Sequence, residues 1–294
     1  MDNDQIEQET DYKTLTDQER FEEQVIAGQR GYYDKVEKVF IPERVLILLF
    51  EEIKHQADSL SDIKLNAFFD KSRRRLAVNF KQIDSLDRDS YSQIFIAYLS
   101  RRFLLQSKNK TEVMAILYID LVASTALSAI ISPEQLAKLV KMFSQETSIM
   151  ISKHNGYVLK YAGDAVIGYF PKEPDIQNAC ENAVNCAFNL LRMIEESINV
   201  VLFENRYPKL KIRIAVDAGE NQIVVLASDP DLLGHVISRA AKIMGKAKSN
   251  QIVIGDKVFN NINPNLKKKF QQAESYIMHE TKESYAIYLS KGNN

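Results

Sequence analysis

Val113-Met-Ala-Ile-Leu-Tyr-Ile-Asp-Leu-Val-Ala-Ser-Thr125 is followed, after an amphipathic stretch, by Asn155-Gly-Tyr-Val-Leu-Lys-Tyr-Ala-Gly-Asp-Ala-Val-Ile-Gly-Tyr-Phe170. Both segments read as apolar strands, and each carries one acid, Asp120 and Asp164. An ionised carboxylate in such surroundings costs roughly several kcal/mol unless something pairs with it. Two of them point to one shared partner. The simplest is a divalent cation, and oxygen-only ligands suit Mg²⁺ or Mn²⁺. The plain alternative is two unrelated acids at strand ends.

Working outward, Ser132-Pro133-Glu134-Gln135 is a helix start, with a capping Ser, Pro at the first position and Gln at the third. Strands 157–162 and 164–170 flank Gly163 and read as a tight hairpin. A helix follows over about 175–198. Lys209 to Asp217 and Gln222 to Ala227 read as a strand pair around Gly219, and a third helix spans about 232–247. Gln251 to Gly255 and Ser284 to Ser290 close the pattern. The order β-α-β-β-α-β predicts an α+β, ferredoxin-like sheet with helices on one face. Before it, 18–110 reads as an α-helical regulatory or dimerisation module, with helices over 18–39, from Pro42 on through Arg44-Val-Leu-Ile-Leu-Leu-Phe-Glu-Glu-Ile-Lys-His-Gln-Ala57, over 65–80 and over 87–105. Residues 1–17 are polar and read as a disordered tail. The domain expectation is thus 1–17, 18–110 and 111–294.

The totals narrow the field. A net charge of −1 gives no general pull toward nucleic acid or anionic lipid. The longest apolar run, Val113 to Ile119, is far short of a membrane span, and the first residues hold no signal-peptide core. Two cysteines, Cys180 and Cys186, share one predicted helix and read as reduced thiols. A cytoplasmic protein without membrane insertion is expected.

The motifs carry a resemblance. Tyr118-Ile-Asp120-Leu-Val-Ala-Ser-Thr125 resembles the first metal motif of the class III nucleotidyl (adenylate/guanylate) cyclases, and Lys160-Tyr-Ala-Gly-Asp164 their Lys-x-x-Gly-Asp hairpin. Arg213 to Gly219 is similar to their Arg-strand-Gly segment. Asp231-Leu-Leu-Gly234 through Ser238 and Lys242 matches the spacing of their Asp-x-x-Gly-x-x-x-Asn-x-x-x-Arg helix, and Lys282 falls where they have a late triphosphate lysine. The resemblance covers about 111–290. It implies two Mg²⁺ or Mn²⁺ ions held by Asp120, Asp164 and the main-chain carbonyl of Leu121. Ala123, Ser124 and Thr125 would give N–H groups to phosphates, with Arg213 and Lys282 neutralising them. Lys160 and Asp231 would read the base, a pair that goes with adenine, and Ser238 and Lys242 would take the catalytic places on the partner helix. The implied reaction converts ATP to cyclic AMP and pyrophosphate in a homodimer with shared sites.

This chain departs from the pattern at several places. Ser238 stands for Asn and Lys242 for Arg, which keeps the charge but loses the planar fork. Ala123 replaces a usual Gly, Ser124 a usual Phe, and Asp217 sits where His is common. Four readings follow: an adenylate cyclase of low activity, a cyclase for another nucleoside triphosphate, a catalytically weak nucleotide-binding regulator, and a dimerising adaptor worked by its N-terminal part.

Overall fold

The computed structural model describes residues 20–35, 38–47, 62–81, 88–227, 229–273, 275–277 and 284–292. The expectations for residues 1–17 and most of the run beyond Pro42 lie outside these residues, as does Lys282.

The central strand is β4 (Thr111–Leu121), as its continuous apolar run requires. It pairs antiparallel with β6 (Ala165–Pro171) on one side and β7 (Ile212–Leu226) on the other. With β5 (Tyr157–Ala162), β9 (Gln251–Gly255), β10 (Phe270–Gln272) and β13 (Ile287–Ser290) they give the order β10-β13-β9-β7-β4-β6-β5. The inner four strands, β7-β4-β6-β5, carry the order of the β-α-β-β-α-β plan, and the expected fold class is observed.

Alternation along β4 sends its side chains to two cores. Ala115, Leu117, Ile119 and Leu121 pack under α4 (Pro133–Lys153) and α5 (Ile176–Met193). Met114 and Ile116 face the other side, with Leu104 of α2 (Arg88–Gln106) and with Val236 and Ala240 of α7 (His235–Met244). Helix α4 starts as its sequence dictates: Gln135 N donates to Ser132 Oγ at 3.2 Å and Ser132 N to Gln135 Oε1 at 2.9 Å. Such a box contributes about 1 kcal/mol.

The first core does not stop at α4. Leu65, Phe68, Phe69 and Leu76 of α1 (Asp62–Lys81) and Ile96 of α2 belong to it. Arg75 of α1 forks onto Glu146 of α4 at 3.1 and 2.8 Å, and Glu146 is fully buried. Arg73 donates to the main-chain oxygen of Glu196 at 2.5 Å. That oxygen lies in a π-helical turn, Ile194–Ile198, joining α5 to α6 (Asn199–Glu204).

The structure corrects three expectations. The described residues of the expected 18–39 helix, 20–35 and 38–39, are not helical. β1 (Phe21–Ile26), β2 (Gln29–Asp34) and β3 (Val39–Pro42) form an antiparallel meander. Its first turn places Ala27 and Gly28 at φ 50° and 78°, as a primed turn requires, and that Gly outweighs weak helical spacing. Next, β7 does not turn at Gly219. It runs on, paired with β4 from Leu121↔Ile212 to Thr111↔Gln222, and turns only to pair with β8 (Asp229–Leu233). Gly219 instead admits Val236, whose Cγ2 would lie 2.9 Å from an added Cβ. Finally, the third helix does not start at 232: Asp231 and Leu232 belong to β8, and α7 starts at His235. Among the described residues no helix is long and apolar enough to cross a membrane.

Candidate active site

Asp120 is the penultimate residue of β4, and the sheet register fixes its neighbours. Arg213 of β7 lies directly opposite on one side. Ala165 of β6 lies directly opposite on the other, and Asp164 precedes it at the hairpin turn. Gly163 makes that turn with φ +65°. The two acids thus stand at neighbouring backbone positions at the end of adjacent strands. Arg213 Nη2 donates to Asp120 Oδ2 at 2.5 Å, with 32% and 16% of the two side chains exposed. The Nε–H of Arg213 is buried without an acceptor among the described residues. The guanidinium is therefore held at one end only, and an anion would complete its partners.

No group of three or more His, Cys, Asp or Glu side chains fit for a metal occurs among the described residues. Two carboxylates and a strand-end carbonyl at Leu121 would be the donor set expected here, and it would be all oxygen. That chemistry fits a hard divalent cation that keeps part of its water and takes other ligands from phosphate.

Beyond Leu121 the chain turns through Ala123, which is left-handed at φ 59°, into the short helix α3 (Ser124–Ser128). Alanine there bears a strain of about 1–2 kcal/mol that glycine would not. Ala123, Ser124 and Thr125 thus form the turn expected of them, with the leading N–H groups of a helix short of intrahelical partners.

Lys160 and Asp231 meet. A register shift between Val158 and Lys160 marks an irregularity in β5, and the β7–β8 hairpin supplies Asp231. Lys160 Nζ donates to Asp231 Oδ2 at 2.6 Å, while Leu232 N donates to Oδ1 at 2.8 Å. The lysine is 44% exposed and the aspartate 21%. A pair this open holds itself together by only about 0–1 kcal/mol, so a ligand can part it.

Ser238 and Lys242 are exposed and one turn apart on α7. Arg239 between them turns inward and pairs with fully buried Asp217; its Nη2 also reaches the Ala218 carbonyl at 3.4 Å. The phenol of Tyr285 donates to Asp217 Oδ1 at 2.7 Å, and the Arg239 guanidinium lies 4.3 Å from the centre of the Tyr285 ring. Burial pushes the Asp217 carboxyl up, against the opposing pull of Arg239 and Tyr285. Sequence reasoning noted Asp217 only as a departure and missed Tyr285. The available signal was an acid inside Arg213-Ile-Ala-Val-Asp-Ala, which needs a buried partner.

Cys180 and Cys186 are free and buried; burial raises the Cys180 thiol to about 12 and Cys186 well above its usual value. They are core residues without a nucleophile's character.

Comparison with known proteins agrees with this geometry. Over 166 residues the chain is 30% identical to a cytidylate cyclase of Staphylococcus aureus, covering 53% of this chain and 39% of that protein. A cytidylate cyclase of Escherichia coli is 23% identical over 163 residues, covering 51% and 35%. The chain therefore matches well under half the length of these relatives. The crystal structure of the guanylyl cyclase Cya2 superposes with a TM-score of 0.57 at 18% identity, covering 64% of this chain and 95% of that one. The family model described as "Adenylate and Guanylate cyclase catalytic domain" matches residues 106–291, a span that holds the paired acids, the hairpin and α7. By that match, and by the acids that the sheet register sets at neighbouring backbone positions, the chain belongs to the adenylate and guanylate cyclase catalytic domain family.

Proposed function

We propose that this chain cyclises a nucleoside triphosphate whose base pairs an exocyclic amine with an acceptor ring nitrogen, ATP or CTP. The observation that carries the reading is the row Arg213–Asp120–Ala165/Asp164 across three neighbouring strands. In the reaction the ribose 3′-oxygen bonds to the α-phosphorus, the bond to the bridging oxygen breaks, pyrophosphate leaves, and the hydroxyl proton passes to solvent.

Mg²⁺ or Mn²⁺ ions, two per site, held by Asp120, Asp164 and the carbonyl of Leu121, would lower the cost of the alkoxide and of the charge that develops on the phosphates. Asp120 would be the carboxylate that holds the cation, and Arg213, whose Nε–H has no acceptor among the described residues, would offer its fork to the polyphosphate. The N–H groups of Ala123, Ser124 and Thr125 orient phosphate oxygens, and Lys282 adds a second positive charge. Ser238 and Lys242 project from α7, exposed as residues serving a second copy of the chain would be. A homodimer completes the site. A cytoplasmic setting, where nucleoside triphosphates are made, suits this reading.

Lys160 and Asp231 read the base. Adenine and cytosine offer the same edge, an amine beside an unprotonated ring nitrogen. Asp231 accepts from the amine and Lys160 donates to the ring nitrogen. Guanine and uracil carry a carbonyl in place of the amine and an N–H in the ring, which reverses the order. The pair supports adenine, and the names of the two bacterial relatives support cytosine.

Purified protein with Mn²⁺ and each of the four nucleoside triphosphates tests this. Cyclic product from ATP or CTP, cut about a thousandfold by Asp120→Ala, is the expected result. Product from GTP or UTP alone overturns the base reading. Metal-dependent nucleotide binding with no product from any of the four establishes the second reading, a nucleotide-binding regulator, which Ser238 and Lys242 in place of Asn and Arg favour.

A further inference from the structure

The geometry points to Asp217, Arg239 and Tyr285 as a buried positioning knot that sets the azimuth and height of α7, and so aims Ser238 and Lys242 at the substrate. This rests on the cyclase reading above. The knot joins three separate pieces of chain. Asp217 lies on β7, the strand that also carries Arg213. Arg239 lies on α7 between Ser238 and Lys242. Tyr285 follows the segment that contains Lys282. The strand that carries Arg213 and the helix that carries Lys242 are thus both tied to one carboxylate.

The contacts leave little freedom. Asp217 is fully buried and Arg239 is 13% exposed. Oδ1 of Asp217 accepts from the Tyr285 phenol at 2.7 Å and from the Ala218 N–H at 2.8 Å, while Oδ2 accepts from Arg239. Gly255 at the end of β9 closes the pocket: an added Cβ would meet Asp217 Oδ1 at 2.5 Å and the Tyr285 oxygen at 2.6 Å. A turn earlier on α7, Val236 sits against Gly219. The helix is therefore pinned at two heights on β7. Helical spacing then decides the rest. With Arg239 held inward, Ser238 and Lys242 share the outward side, one turn apart. A side-chain hydroxyl and an ammonium that must meet a reacting phosphate lose rate steeply when misplaced by about 1 Å.

The test uses the full chain, with kcat and KM measured on whichever nucleotide the parent turns over, beside thermal melting. The double substitution Asp217→Met with Arg239→Met removes both charges together, which buried pairs tolerate when volume is kept. The expected outcome is near-parent melting, a fall in kcat of about tenfold or more, and a KM changed by less than about threefold. A folded double variant with parent kcat overturns the proposal. If the double variant does not fold, Tyr285→Phe takes its place. It keeps the ion pair and removes one hydrogen bond, and kcat should drop about threefold while melting falls by only a few degrees; parent kcat there overturns the proposal. A parent without product from any nucleotide removes the cyclase reading instead. The knot is then judged by amide hydrogen exchange over 235–244, expected to quicken by about tenfold in Tyr285→Phe, with unchanged exchange overturning it.

Discussion

Two carboxylate–guanidinium pairs sit along the same strand, β7, and they behave as opposites. At Arg213 the pair with Asp120 is partly open to water, and one guanidinium N–H has no acceptor among the described residues. At Asp217 the pair with Arg239 is sealed, its carboxylate fully buried and filled by three donors, from Arg239, Tyr285 and the Ala218 N–H. The Coulomb attraction of an ion pair grows as water is excluded, and so does the penalty for stranding one partner. The open pair can change partners at little cost, and the sealed one cannot. The same two residue types make a loose or a rigid joint according to where the strand places them.

Breaking each pair from the arginine side tests the contrast most severely. Arg239→Met strands a buried carboxylate and should cost about 3–5 kcal/mol in urea unfolding, while Arg213→Met should cost no more than about 1 kcal/mol. Equal losses from the two variants end the distinction. Acid titration sharpens it with another sealed group. His154 is buried, with Nδ1 2.9 Å from the Met150 carbonyl and Nε2 3.0 Å from Asn189 Nδ2, and burial lowers it to about 4. The unfolded chain takes up this proton near pH 6.5 and the folded chain only near 4, so stability falls as pH drops through that window. The His154 share is roughly 3 kcal/mol. His154→Gln should flatten that acid limb, and an unchanged limb refutes the assignment. The smallest effect belongs to the open end. Ala123→Gly relieves the left-handed strain, less the entropy gained by the unfolded chain, and should raise stability by at most about 1 kcal/mol.

How much of this was legible in the sequence follows from how local each signal is. The acids of β4 and the hairpin were readable because a charge inside an apolar run is a local anomaly, and the hairpin Gly makes the register almost inevitable. The start of α4 was readable from four consecutive residues. The meander at 21–42 was misread because Phe21, Val25 and Tyr32 can be spaced as a loose helix, while the decisive signal was one Gly after Ala27. Gly219 was misread as a turn because a glycine needed for close helix approach looks the same in sequence as one needed for chain reversal. The Asp217–Arg239–Tyr285 knot was out of reach as a whole, since its members come from three distant segments and only packing brings them together.

The union of α1 with the core beneath α4 has a last consequence. The stretch shared with cyclase relatives begins at residue 106, yet Phe69, Leu76 and Ile96 share one apolar interior with Phe143, Met150 and Leu190, and Glu146 finds its counter-charge on Arg75. What is inherited in common is therefore smaller than what folds together. A chimera joined at the edge of the matched stretch would uncover an acid and a strip of oil at once, so any graft of a foreign input onto this domain has to carry the two preceding helices with it.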